Sequence, residues 1–286
     1  MKDALLPFLI ENRGVRGFAV DIRSGLDSMF GWRNYPDDVR RLLGEALAAT
    51  PLLAADLSAG GRFNLQFQGK GALQMLVTQV DAQLELRGMA KHDNTASGDF
   101  HQLMSGGVLA CLLEPKLGAD RYQATVEIVG ESLAESLQVY FQRSEQLSTL
   151  ILLAAGPQRL AGIMVQRLPE KSTDDDWHHI YTLFRTLAEK ELLDTDAETL
   201  LGRLFAEDTV RVFESRPLRL ACRCSHAQIS AMLLSMGEPE VESILQEQGK
   251  VEVTCEFCGR HYPFTRIEVK ELFAGAQTQT PSVARH

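Results

Sequence analysis

The cysteine pattern near the end of the chain constrains its fold most. Cys222-x-Cys224 is followed, after thirty residues, by Cys255-x-x-Cys258 and then Gly259. One other cysteine, Cys111, occurs in the 286 residues. Four thiols in two short segments admit few explanations: disulfides, a metal site, a catalytic redox pair, or inert buried side chains. Compartment narrows the choice. No apolar run approaches the roughly 18–20 residues that span a bilayer. The opening "MKDALLPFLIENRG" has too short an apolar core, and too early an acidic residue, for a secretory signal. A cytoplasmic protein is expected, and a reducing cytosol favours metal binding or redox chemistry over a static disulfide framework.

The spacing favours a metal. Cys-x-x-Cys-Gly in a turn is a knuckle: both thiolates point inward, backbone amides stabilise their charge, and the glycine relieves the turn. The two cysteine pairs flank a two-helix unit too small to bury a competent core alone. One Zn2+ held by Cys222, Cys224, Cys255 and Cys258 would tie its ends together, contributing on the order of 10–16 kcal/mol of apparent folding free energy. Cys-x-Cys is the unusual half. Two cysteines one residue apart close a disulfide only in a strained ring, and strained disulfides are labile. Zinc would keep such thiolates reduced yet nucleophilic, so that an oxidant converts them to disulfides and expels the metal. His226 and His261 lie near the ligands, and either could replace one thiolate, although four cysteines already satisfy zinc. Cys111, in the apolar run "VLACLL", reads as an inert core residue. Glu145 in "RSEQ" reads as a buried hydrogen-bonding group or a cap.

Residues 1–168 predict an α+β core domain around an antiparallel or mixed sheet. "GFAVDIRSGL", "GRFNLQFQG", "LQMLVTQV", "LELRGMA", "VLACLLEP", "RYQATVEIVG", "TLILLAAG" and "LAGIMVQRLP" read as strands. In the second of these, Phe63, Leu65 and Phe67 share one face. The stretch 35–57 reads as a helix with a single apolar stripe of Val39, Leu42, Leu43, Ala46 and Leu47, kinked or broken at Pro51. "SLAESLQVYFQRSEQLS" reads as a helix capped by Ser132, with Glu135 completing a capping box. Residues 91–107 read as a polar loop.

Residues 169–215 change character. The stretch 170–215 holds twelve acidic and five basic residues, most of the net charge of −9. Apolar residues nevertheless recur at helical spacing: Ile180, Leu183, Phe184 and Leu187, then Leu200, Leu201, Leu204 and Phe205. The segment reads as charged helices with narrow apolar faces, either a solvated connector or a metastable linker that unfolds as a switch. His178 and His179 read as solvated. Residues 216–273 predict the zinc-binding module. Ser225 and Gln228 cap the helix "HAQISAMLLSM", Pro239 opens "PEVESILQEQ", a hairpin flanks "EFCG", and the short helix "EVKELF" follows. Residues 274–286 read as a disordered tail.

Several segments carry a resemblance. "ACRCS", "LLSMGEPEVESILQEQGKVEVTCEFCGRHYPF", "YFQRSEQLST", "LLGEALAATPLLAADL", "LQFQGKGALQMLV" and "LRGMA" together resemble the thirty-three-kilodalton heat-shock protein family of redox-regulated bacterial chaperonins, over residues 3–273. The resemblance implies an ATP-independent holdase, not an enzyme, with an N-terminal substrate-binding domain, a metastable linker and a C-terminal zinc switch. It implies that the reduced, zinc-bound form is inactive. Oxidation then pairs Cys222 with Cys224 and Cys255 with Cys258, zinc leaves, and the switch and linker unfold to capture unfolding client proteins under oxidative stress. It also implies a homodimer when oxidised. The chain departs from the family pattern at Gly162, where a paired glycine is common, and at Pro51.

Two other functions compete on the residues alone. A thiol–disulfide oxidoreductase would use Cys255 and Cys258, but a catalytic Cys-x-x-Cys opens a helix, and here it falls between expected strands. A zinc-finger nucleic-acid binder would use Arg216, Arg219, Arg223, Arg260 and Arg266, but these lie among many glutamates in an acidic chain. No phosphate-binding loop of the Gly-x4-Gly-Lys-Ser/Thr kind occurs, which argues against ATP-driven action.

Overall fold

The computed structural model describes residues 3–55, 61–114 and 122–277. The chain divides into two compact units, 1–221 and 222–286. The first is built on two sheets. One runs β10(Val210–Val212)-β1(Ala4–Ile10)-β2(Val15–Ile22)-β9(Leu160–Arg167)-β8(Thr149–Ala155), with β11(Arg216–Pro217) also pairing with β1. The other runs β12(Arg219–Leu220)-β5(Glu85–His92)-β4(Leu73–Asp81)-β3(Arg62–Gln68)-β6(Val108–Glu114)-β7(Tyr122–Val126). All pairings are antiparallel except β12 with β5. The expected α+β class holds.

Between the sheets lies helix α2(Asp37–Leu53), which follows the short α1(Leu26–Phe30). The sequence suggested one apolar stripe on α2, yet Ala48, Ala49, Thr50 and Leu52 are buried as well. A helix sandwiched between two sheets buries most of its circumference, so a stripe understates its packing. Pro51 does not break α2. The helix continues two residues past it to Leu53, giving up only the amide bond that Pro51 lacks, and closes with the Ala54 amide donating to the Thr50 carbonyl at 3.1 Å. The residues expected to continue the helix, 56 and 57, lie outside the described residues.

Sheet faces follow alternation. In β3, Phe63, Leu65 and Phe67 are buried in the central core, as their period of two requires. In the first sheet, Leu5, Phe18, Val20 and Met164 face the α2 side, while Leu6, Phe8, Ile10 and Val165 join a second cluster. Phe8 pairs across the ladder with Gly17, and its ring occupies the space a side chain at 17 would need: a Cβ there would sit 2.1 Å from the ring.

That second cluster is completed by the acidic segment. It forms α5(Asp174–Phe184), α6(Glu189–Asp194) and α7(Ala197–Leu204), then enters the sheet as β10. Ile180, Phe184, Leu200, Leu201 and Phe205 are buried, with Leu183, Leu187 and Leu204 packed beside them. The solvated-connector reading is therefore corrected: the narrow apolar faces cover one side of the first sheet. Burial of each such side chain contributes roughly 1.5–3 kcal/mol. Polar anchors add to it. Arg159 donates to both carboxylate oxygens of Asp21, at 3.0 and 2.8 Å, and to the carbonyls of Leu193 and Thr195. Asp208 receives Asn12, Arg13 and His179. His179 is thus an anchored residue, not a solvated one.

Three local elements escaped the sequence reading. β1 lies in the stretch weighed only as a signal peptide. α3(Phe100–Met104) lies in the expected loop, opened by an Asp99–Gln102 capping box. After α4(Leu133–Tyr140), a π-helical turn spans Phe141–Glu145 and ends on Gln146 at φ 56°. Ser132 caps α4 as expected, accepting from the Glu135 amide at 3.2 Å, but the Glu135 carboxylate accepts from the Glu131 amide and not from that of Ser132.

The second unit contains α8(His226–Met236), α9(Glu238–Gln248), the hairpin β13(Val251–Thr254)–β14(His261–Phe264) and α10(Arg266–Gln277). Leu233, Val241, Leu245, Val251, Phe264 and Phe273 form much of a small core. Ser225 caps α8, and Gly249 ends α9 in the left-handed region. α10 starts two residues before the expected helix, set by a reciprocal Thr265–Glu268 box. It continues to Gln277, into the expected tail. The rest of that tail lies outside the described residues. Residues 216–221, expected with the module, pair in the first unit: β11 with β1, β12 with β5, and the Ala221 amide with the Leu86 carbonyl at 2.9 Å.

Candidate metal centre

Two local structures bring the four thiols together. Cys222 and Cys224 sit in the extended segment before α8, whose start is set by the Ser225 cap. Alternation in an extended segment turns residues two apart to the same side, so both thiols face one way. Cys255 and Cys258 sit in the turn between β13 and β14. The Cys255 amide donates to the Arg260 carbonyl at 2.9 Å, and the Gly259 amide donates to the Cys255 carbonyl at 2.8 Å. Gly259 takes φ 68°, a conformation that a side chain disfavours.

The sulfurs form a compact group. Cys222 Sγ lies 3.4 Å from that of Cys224 and 3.6 Å from that of Cys255, and Cys224 Sγ lies 3.3 Å from that of Cys258. All four lie within 4.8 Å of one another and are positioned to bind a metal ion. Tetrahedral zinc–thiolate bonds of about 2.3 Å demand sulfur–sulfur edges of about 3.8 Å, which this spread brackets.

The surroundings suit thiolates. Burial pushes the Cys224 thiol up, but the nearby Tyr262 hydroxyl and the neighbouring thiols outweigh it and bring it down to about 7. The Tyr262 side chain is buried against this group, and a thiolate at Cys224 would accept from its hydroxyl. Burial raises Cys255 and Cys258, against the pull of the backbone amides of Phe257 and Cys258 on the first and of Arg260 on the second. Neighbouring thiols add to the rise. Four thiols this close cannot all ionise unaided, and a divalent cation removes that penalty.

The structure disposes of the nearby histidines. His226 stacks on Phe264, with ring centroids 4.6 Å apart, and His261 pairs through Nδ1 with the Thr254 hydroxyl at 2.9 Å. Neither joins the thiol cluster among the described residues. Cys111 lies buried in β6, its thiol pushed up to about 12 by burial first and by the charge of Glu145. Glu145, read from the sequence as a buried hydrogen-bonding group or a cap, is exposed but does accept from the Tyr140 hydroxyl at 2.6 Å. Tyr262 escaped the sequence reading. Its signal was present in "HYPF", where alternation turns Tyr262 and Phe264 to the same, inner side of the hairpin.

Residues 3–265 match the family model described as Hsp33 protein. The chain belongs to the Hsp33 family. Curated relatives of the Hsp33 family carry the name 33 kDa chaperonin. That of Ectopseudomonas mendocina is 38% identical, with both chains covered completely. That of Nitrosococcus oceani is 39% identical, covering 100% of this chain and 99% of its own. The fold is also that of a solved Hsp33 homologue, the 33 kDa chaperonin of Thermotoga maritima, with a TM-score of 0.83 at 22% identity over 98% of this chain and 100% of that one.

Proposed function

We propose that this protein is a redox-activated, ATP-independent holdase. The observation that carries the reading is the cluster of four thiols, all within 4.8 Å, at the base of a unit with a small apolar core. Cys222, Cys224, Cys255 and Cys258 would hold one zinc ion, which supplies charge neutralisation for the thiolates and a cross-link between the two segments. In the reduced state those four side chains fix the start of α8 to the β13–β14 turn. A two-electron oxidant such as peroxide takes two thiols to a disulfide and is itself reduced to water, so two equivalents consume the cluster. We assign the pairs as Cys222 with Cys224 and Cys255 with Cys258, following the family resemblance. The unit then keeps only its small core, too little for a module of this size.

The acidic helices α5–α7 form the second part of the reading. Their buried faces are narrow and their exposed faces repel one another, so this segment is the region of the first unit most ready to open. Once open, it offers apolar side chains to an unfolding client while its charge keeps the complex in solution. Domain roles follow: 1–168 as the substrate-binding core, 169–215 as the metastable linker, and the expected switch 216–273 shortened to begin at Cys222, since 216–221 pair with first-unit strands. The oxidised form is a homodimer acting in the cytoplasm, without nucleic acid, membrane or ATP.

The test is light scattering from a heat-denatured client enzyme. Peroxide-treated protein suppresses aggregation, and the reduced, zinc-loaded protein does not. Equal suppression by both forms sinks the proposal. Zinc content and thiol titre are measured on the same samples, with one zinc lost as four thiols disappear.

A further inference from the structure

A cavity of about 320 Å3 opens in the first unit beside the end of α2, far in sequence from the thiol cluster. Its walls are apolar: Leu52, Phe63, Cys111, Leu113 and Met164. Three polar groups converge at its mouth. The Tyr140 hydroxyl donates to Glu145 Oε1 at 2.6 Å, and the Tyr122 hydroxyl donates to the same oxygen at 3.1 Å. The other carboxylate oxygen has no hydrogen bond among the described residues. Tyr140 is buried and held in its protonated, donating form, by burial first and then by its bond to Glu145.

The backbone is shaped to present this group. The π-helical turn Phe141–Glu145 sets its first and last residues on the cavity together, and the chain leaves through Gln146 in the left-handed region. π turns and non-glycine left-handed residues carry a conformational cost and recur at functional sites. Across the cavity, Arg16 donates to Gln166 Oε1 from Nε and Nη2, at 3.1 and 2.9 Å. The Glu145 carboxylate, exposed at the mouth, is the acceptor that a guest would meet there. A volume of this order, lined by apolar side chains with a few convergent polar groups, is that of a small-molecule site.

We propose that this cavity binds a small amphiphile with an apolar body and an amine head, the body between the sheets and the ammonium on Glu145. The site does not depend on the thiols, so it stands or falls apart from the redox reading.

The experiment uses full-length, reduced, zinc-loaded protein and the apolar fluorophore N-phenyl-1-naphthylamine. The fluorophore binds, and octylamine displaces it at about tenfold lower concentration than octanoate, the margin expected of one charge-assisted hydrogen bond. Glu145→Gln removes that preference. Cys111→Phe fills the floor and abolishes fluorophore binding. Tyr122→Phe, at an exposed position, keeps the amine preference because the carboxylate remains. Octanoate competing as well as octylamine, or unchanged binding to Cys111→Phe, overturns the proposal. An intermolecular nuclear Overhauser contact between the octyl chain and the Met164 methyl group tests the location without any variant, and its absence overturns the proposal too.

Discussion

Cys255 and Glu45 show how much one side chain carries. Cys255 is both a core residue of the second unit and a member of the thiol cluster. Cys255→Ser keeps the volume nearly constant and removes one thiol of the proposed metal site. We expect bound zinc to fall from one equivalent to a small fraction, read by a colorimetric chelator, with loss of helical circular dichroism from the second unit. Glu45, on α2, is 6% exposed. Burial lifts its carboxyl to about 7; Arg41 opposes the rise and the charge of Glu189 on α6 adds to it. The native state therefore holds this proton while the unfolded chain, titrating near 4.5, has lost it. Stability falls as pH rises from about 4.5 to about 7, and the penalty persists above that. Glu45→Gln should stabilise the first unit at pH 8 by roughly 2–3 kcal/mol and be near neutral at pH 4.5, measured by urea denaturation. The cysteines were legible because their chemistry depends on residue type and spacing. The Glu45 effect was not, since a glutamate on a helix looks exposed until two sheets close over it.

At the scale of elements, the acidic helices decide the behaviour of the first unit. Their apolar spacing was readable, but its destination was not, because the face of β1, β2 and β9 that receives it comes from strands distant in sequence. The Arg159–Asp21 pair holds the end of α6 and is nearly dry, with side chains 11% and 3% exposed. Without Arg159, Asp21 keeps its pair with Arg23, but the carbonyls of Leu193 and Thr195 lose their donor. Arg159→Met is expected to cost about 1–3 kcal/mol and to expose the 186–200 stretch to trypsin and endoproteinase Glu-C at concentrations that leave the wild type intact. As the linker reading requires, this variant also suppresses client aggregation without peroxide. Exposed pairs such as Arg143 with Glu127 contribute far less, because water screens them.

For the molecule as a whole, two units with separate cores predict two transitions. Calorimetry of the zinc-loaded protein should show the second unit's transition move down on adding a strong chelator. The transition of the first unit, built on the larger core around α2, should move far less. A single transition displaced as one by the chelator would contradict the division. Oxidation should abolish the metal-dependent transition in the same way, and reduction with added zinc should restore it.

The sequence by itself determined the thiol centre, the caps of α8 and α9, the hairpin that carries Cys255 and Cys258, and most of the strands. Those depend on residue type, short spacing and local alternation. Tertiary structure alone decided that α2 lies between two sheets, that the acidic helices cover the first of them, and that residues 216–221 pair within the first unit. It also decided that Tyr122, Tyr140 and Glu145 meet over a cavity. Each of these depends on which distant surfaces come together, and burial, unlike periodicity, is a property no single segment possesses alone.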